Sequence, residues 1–312
     1  MMLLRILLIV VVLLVAACDG GDGRERGDNA DAAKNESATV VASNYPLYFF
    51  AIRIAEGVAD APEIILPDID GDPVSWIPTP QQVQVLQSAD VILLNGAGAE
   101  SWPDLVSLDR RRLVDTSASI EDRLIPLEGS ALHQHGPEGE HSHQGTAFTT
   151  WLDPGLAVEQ ARAITETLVK IAPAGESRFR DNLAELEQEL AELESRLADV
   201  FARLDGRPVL FSHPVYQYLE RRYSINGESV HWEPDEAPST SDWIALQQLR
   251  QSHPASIMVW EYEPLDETHA RLADAGIVSV PFRPVPNRPV EGDYFSVMHS
   301  NAGQLESILS SN

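Results

Sequence analysis

Residues 179–204 read FRDNLAELEQELAELESRLADVFARL, and in them Phe179, Leu183, Leu186, Leu190, Leu193, Leu197, Val200 and Leu204 recur at alternating steps of four and three. That spacing holds one apolar stripe on one side of an α-helix and leaves charged residues on the other. The reading is a single helix of about 28 residues ended by Gly206, with too few heptads for a free-standing coiled coil. On both sides of it, short β-branched apolar runs alternate with helical stretches, the pattern of parallel α/β layers. Before it, strands are predicted at Thr39–Ser43, Glu63–Pro67 and Asp90–Asn95, with a weaker one at Arg112–Asp115. Helices are predicted at Leu47–Glu56, Thr79–Ser88 and from Pro154 to Ile171. After it, strands fall at Pro208–Ser212, Ser229–His231, Ile257–Glu261 and Ile277–Phe282, and helices at Val215–Tyr223, Ser241–Ser252, Leu265–Ala275 and from Tyr294 to the end. The simplest assembly is α/β: two lobes (39–174 and 206–312), each a small parallel sheet flanked by helices. The long helix (175–205) joins them, and the ligand cleft lies between.

The chain of 312 residues carries 48 acidic against 22 basic side chains, a net charge of -26. Such a surface repels phosphate backbones and anionic membranes, which excludes a nucleic-acid partner. It suits a cation ligand, and it equally suits solubility in salt. The lone cysteine excludes a disulfide framework and an all-cysteine metal cage. No nucleophile elbow, phosphate loop or HExxH helix occurs, and Gly96-Ala97-Gly98 lacks the third glycine of a dinucleotide turn. Ser212 and His213 are neighbours in a strand and point to opposite faces. Catalysis is therefore not expected.

At the start, Arg5 precedes an apolar run, Ile6 to Ala17, too short to span roughly 30 Å of hydrocarbon as a helix. It fits an export signal. Leu14-Val15-Ala16-Ala17-Cys18 resembles a bacterial lipobox, which implies a signal peptide over 1–17 and a lipid on Cys18. Residues 18–38 then form a disordered tether. The mature protein is expected outside the cytoplasmic membrane, in a periplasm or at a cell surface, attached only through its lipid.

Read in order, VVASNYPLYFF (40–50), DGDPVSWIPTP (70–80), ADVILLNGAGAE (89–100), WLDP (151–154), FSHPVYQYLERRY (211–223), PDEAPS (234–239) and GDYFSVMHSN (292–301) resemble the solute-binding lipoproteins of zinc- and manganese-type ABC importers. The resemblance covers nearly all of Val40 to the C-terminus. It implies two lobes on a rigid backbone helix, a metal in the cleft, and delivery by a monomer to a membrane permease and its ATPase. Zn2+ is the expected cargo, with Mn2+ behind it because manganese prefers more carboxylate oxygen.

Ligands of parallel sheets sit beyond the strands' carboxyl ends, which nominates Ser43 to Tyr45 (with Asn44), Asp68 to Asp72, Asn95, His213, His231, Glu261 and Arg283. The family's three histidines and one carboxylate map onto Val74, Thr149, His213 and Arg283, so one ligand of four remains. A guanidinium has no lone pair to offer a cation. Three readings stand open. A shifted metal set uses His213, His231 and Glu261 with Asp70 or Asp72. A loop, His133-Gln134-His135 with Glu138, Glu140, His141 and His143, scavenges the metal, or is a plain polar loop. Or Arg283, paired with Glu261 or holding an anion, turns the cleft toward a chelated metal or an organic solute. The plainer reading of His213 is a cap on the following helix, and of His231 a half-buried strand residue beside Trp232. The tryptophans are expected in packing, and His253, His269 and His299 on helix surfaces. A surface adhesin without transport is the remaining alternative.

Overall fold

The computed structural model describes residues 37–69, 71–127, 132–134, 140–142 and 145–311. The signal and lipid readings (1–17, Cys18), most of the tether, Asp70, Glu138, His135 and His143 lie outside the described residues.

In the first half, β1 (Thr39–Ala42), α1 (Tyr45–Ala55), β2 (Glu63–Ile65), α2 (Pro80–Ser88), β3 (Val91–Leu94) and β4 (Leu113–Asp115) build a parallel sheet in the order β2-β1-β3-β4. Asn44 caps α1 by accepting from the Leu47 N–H, so this helix opens two residues before the expected Leu47. Thr79 and Gln82 form the capping box of α2, with Pro80 at its first turn. A two-stranded antiparallel hairpin follows, β5 (Leu132–Gln134) and β6 (Glu140–Ser142), with His133 opposite His141 in register.

The helices α3 (Pro154–Ile171) and α4 (Glu176–Ala202) lead to the second half. There β7 (Val209–Phe211), α5 (Gln217–Tyr223), β8 (Gly227–Ser229), α6 (Thr240–Ser252), β9 (Ile257–Trp260), α7 (Asp266–Asp274), β10 (Val278–Pro281) and α8 (Tyr294–Ser311) give a second parallel sheet, β10-β9-β7-β8. Strand β8 lies two residues earlier than predicted. Its pairing continues through the Val230 and Trp232 N–H groups to Phe211 and Ser212 carbonyls, which carries His231 past the strand end. The start of α5 moves to Gln217 because the Val215 N–H folds back onto the His213 carbonyl at 2.9 Å.

Period-two alternation sorts each strand's side chains into two layers. Val40, Ala42 and Leu93 face a central core while Val41 and Ile92 face an outer one with Trp76 and Trp102. In the second sheet, Phe211 and Val259 face the central core, and Leu210, Met258 and Trp260 face outward onto Trp232 and Trp243. The central core runs unbroken from one sheet to the other through the stripe of α4, whose Leu186, Leu190, Leu193 and Leu197 are all fully buried. Truncating one such leucine costs about 2–5 kcal/mol. Helix α4 packs on α1, α3 and α8. The Asn182 amide donates to the Ile54 and Glu56 carbonyls at the end of α1, and Arg53 forks onto Glu189 at 2.6 and 2.9 Å.

All six tryptophans are buried in packing. His269 is exposed and His299 half-buried. His253 departs from expectation: it ends α6 in the interior, its Nε2 2.9 Å from the Val209 carbonyl. No helix among the described residues is long and apolar enough to cross a membrane.

Candidate functional site

Between the two sheets' carboxyl ends lies a cleft of about 890 Å3. Its second-lobe wall grows from three neighbouring strand ends. β7 stops at Phe211, and after it the His213 ring lies buried, behind the cleft-lining carboxylates of Glu233 and Glu261. Glu261 follows β9 directly, and Glu233 follows the extended run after β8. Their carboxylates meet the two sides of the imidazole, Glu233 Oε1 at 3.2 Å from Nε2 and Glu261 Oε1 at 3.4 Å from Nδ1. His231 stands exposed with its ring edge-on to His213, centroids 6.2 Å apart. Partial desolvation and the His213 ring hold its pKa below the ordinary histidine value. Tyr216 lies just beneath, its hydroxyl donating to the Phe282 carbonyl at 2.7 Å.

Sequence reasoning named His213, His231 and Glu261, and the structure brings these together. It missed Glu233. The signal was present in His231-Trp232-Glu233, since in extended chain residues two apart share a face. Asp72 lines the cleft from the other lobe, but its Oδ1 accepts the Val74 N–H at 3.0 Å in a tight turn. Among the described residues, no three His, Cys, Asp or Glu side chains stand so as to hold a metal ion. His133 and His141 belong to the hairpin and lie opposite each other in its backbone register.

Other expectations are corrected. Tyr45 does not face the cleft: it is buried, 6.2 and 6.1 Å (ring centroids) from Tyr48 and Phe49, because the cap at Asn44 turns the first residue of α1 into the aromatic core. Asn44 itself is spent on that cap and on a 3.3 Å bond to Asn95, although it still borders a small recess beside Val74. His213 does not cap α5, whose first residues carry no side-chain cap. Glu261 is turned to His213, its Oε1 3.4 Å from Nδ1, and the Arg283 backbone is held at both its N–H and carbonyl by the Asn301 amide.

The first-lobe wall is set by a buried polar network. Glu100 accepts from the Ser43 hydroxyl (2.5 Å) and from the Asn95 and Gly96 N–H groups (2.6 and 3.2 Å). Burial outweighs those donors and pushes its carboxyl up to about 7. Asn95 in turn donates to the Phe148 carbonyl at 2.8 Å. That fixes the segment that carries Thr149. Its hydroxyl spans the cleft floor to the Val215 carbonyl at 2.6 Å. Parallel ties run from Trp151 Nε1–H to the Pro284 carbonyl, from the Tyr218 hydroxyl to the Ala147 carbonyl and from the Tyr294 hydroxyl to the Trp151 carbonyl.

Around the opening stand six carboxylates, Asp72, Glu233, Asp235, Glu261, Glu263 and Asp266, with no lysine or arginine among the described lining residues. Two parallel α/β layers, a helical spine and an acidic cleft at the strand ends define a two-lobed solute-binding protein. The family model described as zinc-uptake complex component A, periplasmic (ZnuA) matches residues 40–308, and the chain belongs to that family, whose members bind solutes and are not enzymes. It is 28% identical over 251 residues to the high-affinity zinc uptake system protein ZnuA of Bacillus subtilis (strain 168), covering 79% of this chain and 76% of that protein. The ZnuA protein of Yersinia pestis is 27% identical over 206 residues, 61% of this chain and 64% of that one, so the match spans just under two thirds of its length. In fold, the chain is similar to the Zn(II)-bound ZnuA-like domain of Streptococcus pneumoniae AdcA, with a TM-score of 0.72 at 19% identity over 87% of this chain and 98% of that one.

Proposed function

We propose that the chain is the extracytoplasmic receptor of an ABC metal importer, anchored through a lipid on Cys18, which captures a divalent transition metal, zinc first, and passes it to a permease and its ATPase. The observation that carries this is the acidic lining of the cleft, in which Glu233 and Glu261 lie against the buried His213 imidazole. Nitrogen and carboxylate oxygen are the donor set that suits zinc. His231 stands beside them, its pKa held below the ordinary histidine value by desolvation and the His213 ring. Family membership and the zinc-uptake names of the two relatives support the same cargo. The segment 132–145, read from sequence, supplies further imidazoles for a second and weaker site.

The test is a zinc titration of the full chain against a chromophoric chelator. His213→Ala is expected to weaken affinity at least about tenfold. Deleting 132–144 is expected to lower the number of zinc ions bound while the His213-dependent site persists. An unchanged affinity in His213→Ala removes the cleft from the reading.

A further inference from the structure

We infer that the cleft takes its metal as a positively charged complex with a small, neutral, nitrogen-rich organic ligand, ion and organic part entering together; this rests on the metal-receptor reading above. The first ground is size. A divalent ion with six waters, at about 30 Å3 each, fills roughly 200 Å3, whereas the open cleft offers about 890 Å3. Volumes of about 300–1,000 Å3 are those of pockets for organic molecules.

The second ground is the donor count. A bare ion needs at least three or four protein donors converging on one point, and among the described residues no such group of three exists. Val74 and Thr149 offer none, and the Thr149 hydroxyl is committed to the Val215 carbonyl. An organic ligand supplies the missing bonds. The protein then needs to add only the His213 neighbourhood and outer-sphere contacts.

The third ground is the mixed character of the lining. Beside the carboxylates, Phe148, Val215, Leu265 and Pro286 offer apolar surface. Tyr262, half-exposed at the rim, adds a further face. A hydrated dication has no use for apolar walls. A cation that carries hydrocarbon uses both, burying CH2 groups against the aromatics and keeping its charge toward Glu233 and Glu261. With no basic side chain among the described lining residues, an anionic complex is disfavoured by the same field.

The experiment compares four probes on the full chain by calorimetry and native mass spectrometry: Zn2+ alone, Zn2+ with the neutral triamine triazacyclononane, the metal-free triamine, and the zinc–EDTA dianion. Expected is a ternary complex of protein, zinc and triamine, bound at least about tenfold more tightly than Zn2+ alone, with Phe148→Ala erasing that advantage. Zn2+ alone bound as tightly or more tightly, with no ternary mass, overturns this inference and leaves the metal receptor standing. Equal binding of the metal-free triamine or of the dianion overturns it as well. A chain that takes neither form of zinc overturns the receptor reading itself.

Discussion

Replacing Thr149 by valine removes one hydroxyl and keeps the side chain's shape, so no cavity opens. Thr149 is only 3% exposed, and its hydroxyl donates across the cleft floor to Val215 at 2.6 Å. The loss is therefore the unpaired Val215 carbonyl, worth about 1–3 kcal/mol when buried. Because Val215 is half-buried, the lower half of the range, about 1–2 kcal/mol, is expected. For a folded unit of this size, each kcal/mol moves the melting temperature by about 2–4 °C, which gives a fall of roughly 2–8 °C in a calorimetric scan. A matched control is Thr167→Val in α3. Its hydroxyl is also buried but donates to Ala163, a carbonyl already engaged in the helical ladder. That change is expected to cost less than about 0.5 kcal/mol. If both variants melt together, or if Thr149→Val melts with the parent, the hydroxyl does not tie the lobes and its account here is wrong.

The Glu100 carboxyl, raised by burial from 4.5 to about 7, binds its proton more tightly folded than unfolded, so its contribution is full below about pH 4.5 and fades as pH rises through 7. The stability of the parent relative to Glu100→Gln, from urea melts, should accordingly fall by up to about 3 kcal/mol between pH 4.5 and 8; a rise with pH would contradict the burial argument. Gly96 sits at φ +75°, and a Cβ there would stand 1.8 Å from Asp115 Oδ1. Gly96→Ala should cost about 2–4 kcal/mol, and adding Asp115→Ala should return the part due to the clash; no return in the double variant places the whole cost in the backbone. Cys18→Ser should move the protein from the membrane fraction to the soluble one, and a protein that stays with the membrane was not held by a lipid on that sulfur.

The fold was legible because its signals are periodic and long. The stripe from Phe179 to Leu204 predicts α4 to within a few residues of Glu176–Ala202, and the β-branched runs place every strand of the two sheets. Boundaries moved where a local hydrogen bond outweighs the pattern, as at Asn44 before α1 and at the Val215 N–H before α5. The site was half legible. His213 and Glu261 follow from the rule that ligands gather at strand ends, yet which carboxylate reaches which ring nitrogen depends on turns that no pattern encodes. Glu233 hid behind a tryptophan that draws the eye to packing. Thr149 reads in sequence as a lost ligand, and only the approach of Val215, sixty-six positions away, gives it a task. Tyr45 was misread because a strand end and a helix start coincide there, and the helix claims the side chain.

The spine also bears on how long a cargo stays. Helix α4, about 40 Å of unbroken helix, is sealed on its inner side into a core shared by both sheets. Swinging the lobes apart would expose that core, so this architecture has no free hinge about which to open and shut. A container whose walls stay in place cannot time its own emptying. On the receptor reading proposed above, dwell time is then set by the contacts in the cleft and by the pull of its acidic lining, and release is an event that a docking permease provokes at the mouth, by competing for the same few contacts.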